Sequence, residues 1–398
     1  MCQYESAPYL LFTIPPFIMR MVKKMQLWER EDFKLSTKPQ FHGSDLEQIE
    51  AYYGIPADQI ISFSANVNPL GLSPKFRQSM LDHVDAVISY PDREYKDLRA
   101  AISAYCGAPF DDILAGCGAT DLISRFIRTG MPRKVMLIDP TYSEYAREIS
   151  LEGGELISYP LDEKKEFRLD VPELCSSLDD SYDLLIMCNP NNPTGFALRH
   201  EGLRELFRCC DKHNINVLVD ETYVEFADDM DEITSVPLTR EFQNVIVLRG
   251  VSKFFAAPGL RLGYAVTSNK KIRDRMNSTK NPWAINSIAA LSGAEMFRDT
   301  GYIEKTKTFI SKERARLVEI LRGEANLHVY DPSANFILMR ILKENVTSEE
   351  VFEHAVKDGL VLRDCSSFPG LGSSHIRFCF CLPQQNDLLI RKIFEMVS

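Results

Sequence analysis

Short apolar runs recurring between helical patterns constrain this chain more than any other feature. Residues 134–138, 183–187, 215–219 and 244–248 each read as a strand with almost no polar alternation. Such runs are buried on both faces, which requires helices above and below a mostly parallel sheet. The stretch 198–213 between them has helical period, so the fold class is α/β. In open sheets of this kind, ligands bind beyond the carboxyl ends of the strands. Asn192, Asp220 and the pair Ser252-Lys253 all fall just after predicted strands.

Residues 248–264 read L-R-G-V-S-K-F-F-A-A-P-G-L-R-L-G-Y. A lysine at a strand end, shielded by Phe254 and Phe255, is where a depressed amine pKa and imine chemistry are expected. Taken alone, Lys253 and Arg261 are equally readable as surface residues flanking a turn. Two upstream segments change that balance: C-N-P-N-N-P-T-G at 188–195 and N-V-L-V-D-E-T-Y at 216–223. Together they give four signals in one order, N-P-T-G, D-x-x-Y, S-K and R. On these residues the chain resembles the fold-type I pyridoxal-phosphate (PLP) enzymes, the aspartate aminotransferase superfamily. Within it, the chain is similar to the group holding the threonine-phosphate decarboxylases and the histidinol-phosphate aminotransferases. The resemblance spans roughly residues 41–398.

The resemblance implies a fold and a cofactor. It predicts a mostly parallel seven-stranded-type sheet in a large domain, 75–284. A small α+β domain would be formed by 41–74 and 285–398, after an N-terminal extension, 1–40. PLP would be held as an imine by Lys253, with Asp220 paired to the ring nitrogen and Asn192 and Tyr223 on the phenolic oxygen. Gly118, Ala119 and Thr120 follow a strand pattern, and a glycine turn opening a helix offers bare N–H groups to an anion. By resemblance these three, with Ser252 and Arg261, grip the cofactor phosphate. Tyr142 would lie over the ring, or simply close the core as a strand-end aromatic. Tyr90, in S-Y-P-D, would come from the neighbouring subunit, which implies a homodimer with shared sites.

Substrate residues follow in the same way. His42 and Gly43, Asn68 in S-A-N-V-N-P-L-G, and N-P-W-A-I-N at 281–286 resemble decarboxylase segments. Asn192, Asn335, Arg363 in R-D-C-S-S-F-P-G-L-G and Arg377 in H-I-R-F complete the set. Phe368 stands where the decarboxylase pattern has tyrosine, so a hydroxyl role is lost there. His42 is also readable as a plain turn histidine. The implied reaction is decarboxylation of a small phosphorylated amino acid, O-phospho-L-threonine or O-phospho-L-serine, to an aminoalkyl phosphate for the nucleotide loop of cobalamin. The alternative is a histidinol-phosphate-type aminotransferase using 2-oxoglutarate and glutamate. A regulatory protein on a degenerate transferase fold would want a DNA-binding domain or a lost lysine; forty preceding residues are too few, and Lys253 is intact.

Charge narrows the partners. The 398 residues carry a formal charge of −10, which argues against nucleic acid and anionic membranes. An anionic substrate must therefore be held by a local Arg/Lys group. Ten cysteines without a C-x-x-C pair read as reduced thiols of a cytoplasmic protein, and no metal site is expected. Residues 8–21 are apolar but interrupted by Pro15-Pro16 and too short to span a bilayer. Basic residues follow that run instead of preceding it, unlike a secretory signal. The segment reads as an ordered arm, a disordered tail, or the upstream part of a chain whose functional start is Met25.

Overall fold

In the computed structural model, Phe41 and residues 45–398 are described; the extension 1–40 and the expected substrate residues His42 and Gly43 lie outside them. In chain order the first strands are β1 (Ile61–Ser62), β2 (Ile113–Gly116), β3 (Lys134–Asp139), β4 (Glu155–Pro160), β5 (Leu184–Cys188), β6 (Asn216–Asp220) and β7 (Val245–Gly250). They are followed by β8 (Gly263–Val266), β9 (Leu327–Val329), β10 (Phe336–Ile341), β11 (Leu360–Val361), β12 (Arg363–Asp364) and β13 (His375–Cys379).

Seven strands form one sheet in the order β2-β8-β7-β6-β5-β3-β4. The pairs β3–β4, β3–β5, β5–β6 and β6–β7 are parallel, while β8 runs against both neighbours. Every residue of β5 and β7 is buried, as near-continuous apolar runs demand of central strands. Helices Ala119–Gly130 and Glu144–Leu151 pack against this sheet and share its core through Leu122, Ile123, Tyr145 and Ile149. Four further strands pair antiparallel in the order β12-β13-β10-β9. A short parallel ladder, Ile61↔Leu360 and Ser62↔Val361, ties the first strand to the C-terminal part of the chain.

Element boundaries shift by a residue or two from the apolar runs, and three of them have a clear local reason. Strand β7 runs past Leu248 to Gly250, because the charge at Arg249 is neutralised inside the protein. Its Nε and Nη2 donate to Glu221 Oε2 at 3.0 and 2.8 Å, and Nη2 to Thr234 Oγ1 at 2.6 Å. Helix Thr300–Arg322 opens where the Asp299 side chain accepts from Tyr302 N. Helix Ser287–Arg298 is capped by Asn286 through a 2.8 Å bond from Ala289 N. Apolar periodicity marks the buried face of a helix, whereas its first turn is fixed by whichever side chain satisfies the orphan N–H groups.

Candidate active site

The carboxyl ends of β5, β6 and β7 bring together the residues that follow them. Asp220 closes β6 and is 4% exposed. Its Oδ1 accepts from Thr222 N at 2.9 Å and from Thr222 Oγ at 2.5 Å, and its Oδ2 from Tyr145 Oη at 2.7 Å. Burial pushes the Asp220 carboxyl above its ordinary range, and the Thr222 and Tyr145 donors oppose that shift.

Lys253 follows β7 on the loop that starts at Val251. Its Nζ donates to Ala65 O at 2.6 Å, and its own carbonyl accepts from Asn68 N at 3.0 Å. Lost hydration, then the positive charge of Arg377 and, more weakly, Arg261, pushes the amine down to about 8. A lysine that sheds its proton near neutrality is a usable nucleophile, which an ordinary surface lysine is not.

Next to it, Tyr223 is buried with its hydroxyl accepting from Asn66 Nδ2 at 3.3 Å, and its ring meets Phe336 edge-on at 5.1 Å. Burial raises this phenol, and the nearby Arg377 opposes the rise. Asn192 is buried and its Oδ1 accepts from Arg377 Nη1. The same guanidinium donates from Nη2 to Ser64 O at 2.8 Å and lies 5.3 Å from the Phe336 ring centre. Its Nε is buried without a hydrogen-bond partner.

An anion cradle lies at the start of helix Ala119–Gly130. Gly118 has φ +89°, and a Cβ there would sit 2.7 Å from Arg261 Nη2. Gly263 allows a similar approach, because its Cβ would meet Ala119 N at 2.8 Å. A guanidinium thus lies over the positive end of a helix dipole. Two positive ends brought this close favour a negative group between them. Burial raises the Tyr142 phenol while Thr120 opposes the rise, and Tyr142 meets Tyr145 edge-on at 5.6 Å. A depressed lysine, a buried carboxylate, an aromatic face and a phosphate-sized cationic turn are the donor set that a phosphorylated pyridine aldehyde requires.

The remaining expected residues fall in different places. Arg363 stands opposite Arg377 on the β12–β13 ladder. It donates to Ser367 Oγ at 2.8 Å and lies 5.3 Å from the Phe368 ring centre, so this phenylalanine offers a ring face where a hydroxyl was absent. Burial and the Arg377 charge lower the Arg363 guanidinium. Asn335 donates to Asn66 O at 2.9 Å, leaving its Oδ1 buried and without a hydrogen-bond partner. Asn68 is buried and makes its hydrogen bonds within the protein. Its Nδ2 lies within hydrogen-bond distance of Phe254 O, Tyr302 Oη and Thr306 Oγ1, at 2.8, 2.9 and 3.1 Å, and its Oδ1 accepts from Leu70 N. That carboxamide is spent on holding the Lys253 loop. Tyr90 stands apart on its own chain, 79% exposed, with its ring 4.6 Å from Trp283.

Sequence reasoning missed Tyr145, Thr222, Asn66 and Ser64. Two of these had a usable signal: Tyr145 lies one helical turn beyond Tyr142 in P-T-Y-S-E-Y, and Thr222 follows Asp220 at the spacing of a side-chain-to-backbone turn.

Comparison with known proteins identifies the family and the fold. The model of the family "Aminotransferase class I and II" matches residues 58–393. A threonine-phosphate decarboxylase of Salmonella typhimurium is 32% identical over 357 residues, covering 90% of this chain and 96% of that protein. A histidinol-phosphate aminotransferase of Methanocaldococcus jannaschii is 29% identical over 365 residues, covering 91% and 95%. The crystal structure of histidinol-phosphate aminotransferase from Clostridium acetobutylicum superposes with a TM-score of 0.78 at 30% identity, covering 84% of this chain and 98% of that one. The chain belongs to the class I and II aminotransferase family, has the fold of the fold-type I enzymes, and uses pyridoxal phosphate as its cofactor.

Proposed function

We propose that this chain decarboxylates a small phosphorylated amino acid, O-phospho-L-threonine or O-phospho-L-serine, to the aminoalkyl phosphate used in the nucleotide loop of cobalamin. The observation that carries this reading is the ladder pair of Arg363 and Arg377, of which Arg377 lies close enough to Lys253 to lower its amine, in a chain whose surrounding segments are decarboxylase-like. A substrate bearing a carboxylate and a phosphate needs two cationic grips. The likeness to the Salmonella threonine-phosphate decarboxylase supports the same choice.

PLP supplies an electron sink for the pair of electrons left when a bond at the substrate Cα breaks. Lys253 anchors the cofactor and can hold or give a proton at Nζ. Asp220 would pair with the ring nitrogen, and Tyr142 would lie over the ring. Asn192 and Tyr223 serve the phenolic oxygen, while Gly118, Ala119, Thr120, Ser252 and Arg261 hold the phosphate. Arg377 holds the substrate carboxylate, and Arg363 the substrate phosphate from across the ladder. By fixing the substrate's two anionic groups, these two arginines would orient its Cα and so select which bond the cofactor's electron sink could act on.

Reading the chain as an aminotransferase has its own support, in the likeness to histidinol-phosphate aminotransferases in sequence and in structure. Glutamate, with two carboxylates, would also satisfy two arginines. One experiment separates the two. Carboxyl-labelled phosphothreonine should release labelled CO2 with no oxo acid present; turnover that requires 2-oxoglutarate and yields glutamate favours the transferase. We further propose a cytoplasmic homodimer in which Tyr90 of each subunit completes the partner's site.

A further inference from the structure

Tyr145 touches two groups on which the cofactor reading depends. It lies in helix Glu144–Leu151, three residues after Tyr142, and is 0% exposed. Its hydroxyl donates to Asp220 Oδ2 at 2.7 Å, and its ring braces Tyr142 edge-on at 5.6 Å.

An ionised carboxylate has about four acceptor positions. Three at Asp220 are taken: two on Oδ1 by Thr222 and one on Oδ2 by Tyr145. The fourth is left on Oδ2, beside the Tyr145 hydroxyl. We propose that Tyr145 is a positioning residue: it turns the Asp220 carboxylate so that one acceptor site faces the ring nitrogen, and it keeps that carboxylate ionised. The inference rests on the assignment of Asp220 to the ring nitrogen. Burial alone favours the neutral acid, which would present a donor or a weak acceptor to the ring. Three donors oppose that, and Tyr145 supplies the one donor on the oxygen that still has an acceptor site open.

The test uses Tyr145→Phe, which removes the hydroxyl and leaves the ring against Tyr142. Each holoenzyme is reconstituted with ring-15N PLP, and both the 15N shift and the cofactor dissociation constant are measured. Losing a hydrogen bond to a charged group should weaken cofactor binding roughly ten- to hundredfold and move the 15N signal toward the unprotonated ring. In an Asp220→Asn background, the same substitution should add nothing further. If Asp220→Asn changes both readouts but Tyr145→Phe changes neither, the positioning role is refuted while the Asp220 assignment stands. If Asp220→Asn itself leaves both unchanged, that assignment fails first and the inference falls with it. Should Tyr145→Phe not fold, 3-fluorotyrosine at position 145 strengthens the donor without changing the packing; an unmoved 15N signal then overturns the proposal.

Discussion

Lys253 donates its amine to the carbonyl oxygen of Ala65, 188 residues earlier in the chain, at 2.6 Å. A strand-end loop of the large sheet is thereby tied to the segment that follows β1. With the amine pushed down to about 8, its charge is lost within the working range of an ordinary enzyme.

Cofactor capture by the apoprotein should therefore rise with pH between about 6 and 9, with a midpoint near 8, because only the neutral amine attacks an aldehyde. Stopped-flow absorbance gives the rate. Lys253→Ala should bind PLP without a borohydride-reducible link. A reduced adduct mapped to another lysine would falsify the anchor.

Arg249 and Glu221 form an ion pair that is closed to water, with exposures of 1% and 0%. Replacing Arg249 by Met strands the Glu221 charge, so about 3–5 kcal/mol of stability should be lost, measured by urea unfolding. Replacing Glu221 by Leu as well should restore part of it. Equal losses in the single and double variants would show that packing, not the stranded charge, sets the cost.

Glu225 lies beside that pair, and burial lifts its carboxyl to about 7 while Arg249 opposes the shift. Its folded pKa is higher than its unfolded one, so the folded chain binds more protons between about 4.5 and 7. Stability from this group is present at acid pH and lost as pH rises through that window. Glu225→Gln fixes the neutral form. It should stabilise the holoenzyme on the order of 1–3 kcal/mol at pH 8 and leave it nearly unchanged at pH 5. A gain of equal size at both pH values would remove titration as the cause.

These contacts show which parts of the site were legible in sequence. Lys253, Asp220, Arg261 and Gly118 each occupy a strand end or a glycine turn, and such positions are marked by local residues. Pairs such as Tyr145–Asp220, Asn66–Tyr223 and Arg377–Asn192 are 75, 157 and 185 residues apart. They depend on strand order, in which β3 lies beside β5, and on a second sheet whose register sets Arg377 opposite Arg363. Periodicity carries no information on either. Arg249 shows the opposite failure: a charge inside a strand looks like its end until the partner strand supplies a carboxylate. Asn68 lies in a segment that looked substrate-like, yet its polar atoms hold the Lys253 loop.

Arg377 tests the substrate assignment. Its removal should lower kcat/KM for phosphothreonine by roughly 30- to several-thousand-fold, the consequence of losing a buried charged partner worth about 2–5 kcal/mol. Its Nη1 also reaches Asn192, so the cofactor spectrum of Arg377→Ala must be checked and should be retained. Arg377→Lys keeps the charge but not the fork, and should recover only part of the loss. Full activity in Arg377→Ala would exclude this residue as the carboxylate grip.

Tyr90 and its neighbours test the dimer. Val84, Val87, Ile88 and Tyr90 are 53%, 64%, 86% and 79% exposed, an apolar run on the surface that solvent alone would not favour. Trp283 lies against Tyr90, so the run extends onto the segment before helix Ser287–Arg298. Our reading sets this face against a second copy and sends each Tyr90 into the partner's site. Tyr90→Ala and Lys253→Ala should each be nearly inactive as homodimers. Mixed and re-equilibrated in equal amounts, they form hybrids in which one site has both substitutions and the other has neither. Statistical exchange makes half the dimers hybrid, so activity should recover to about one quarter of wild type. If native mass spectrometry shows that the hybrids have formed and no activity returns, Tyr90 acts within its own chain or not at all.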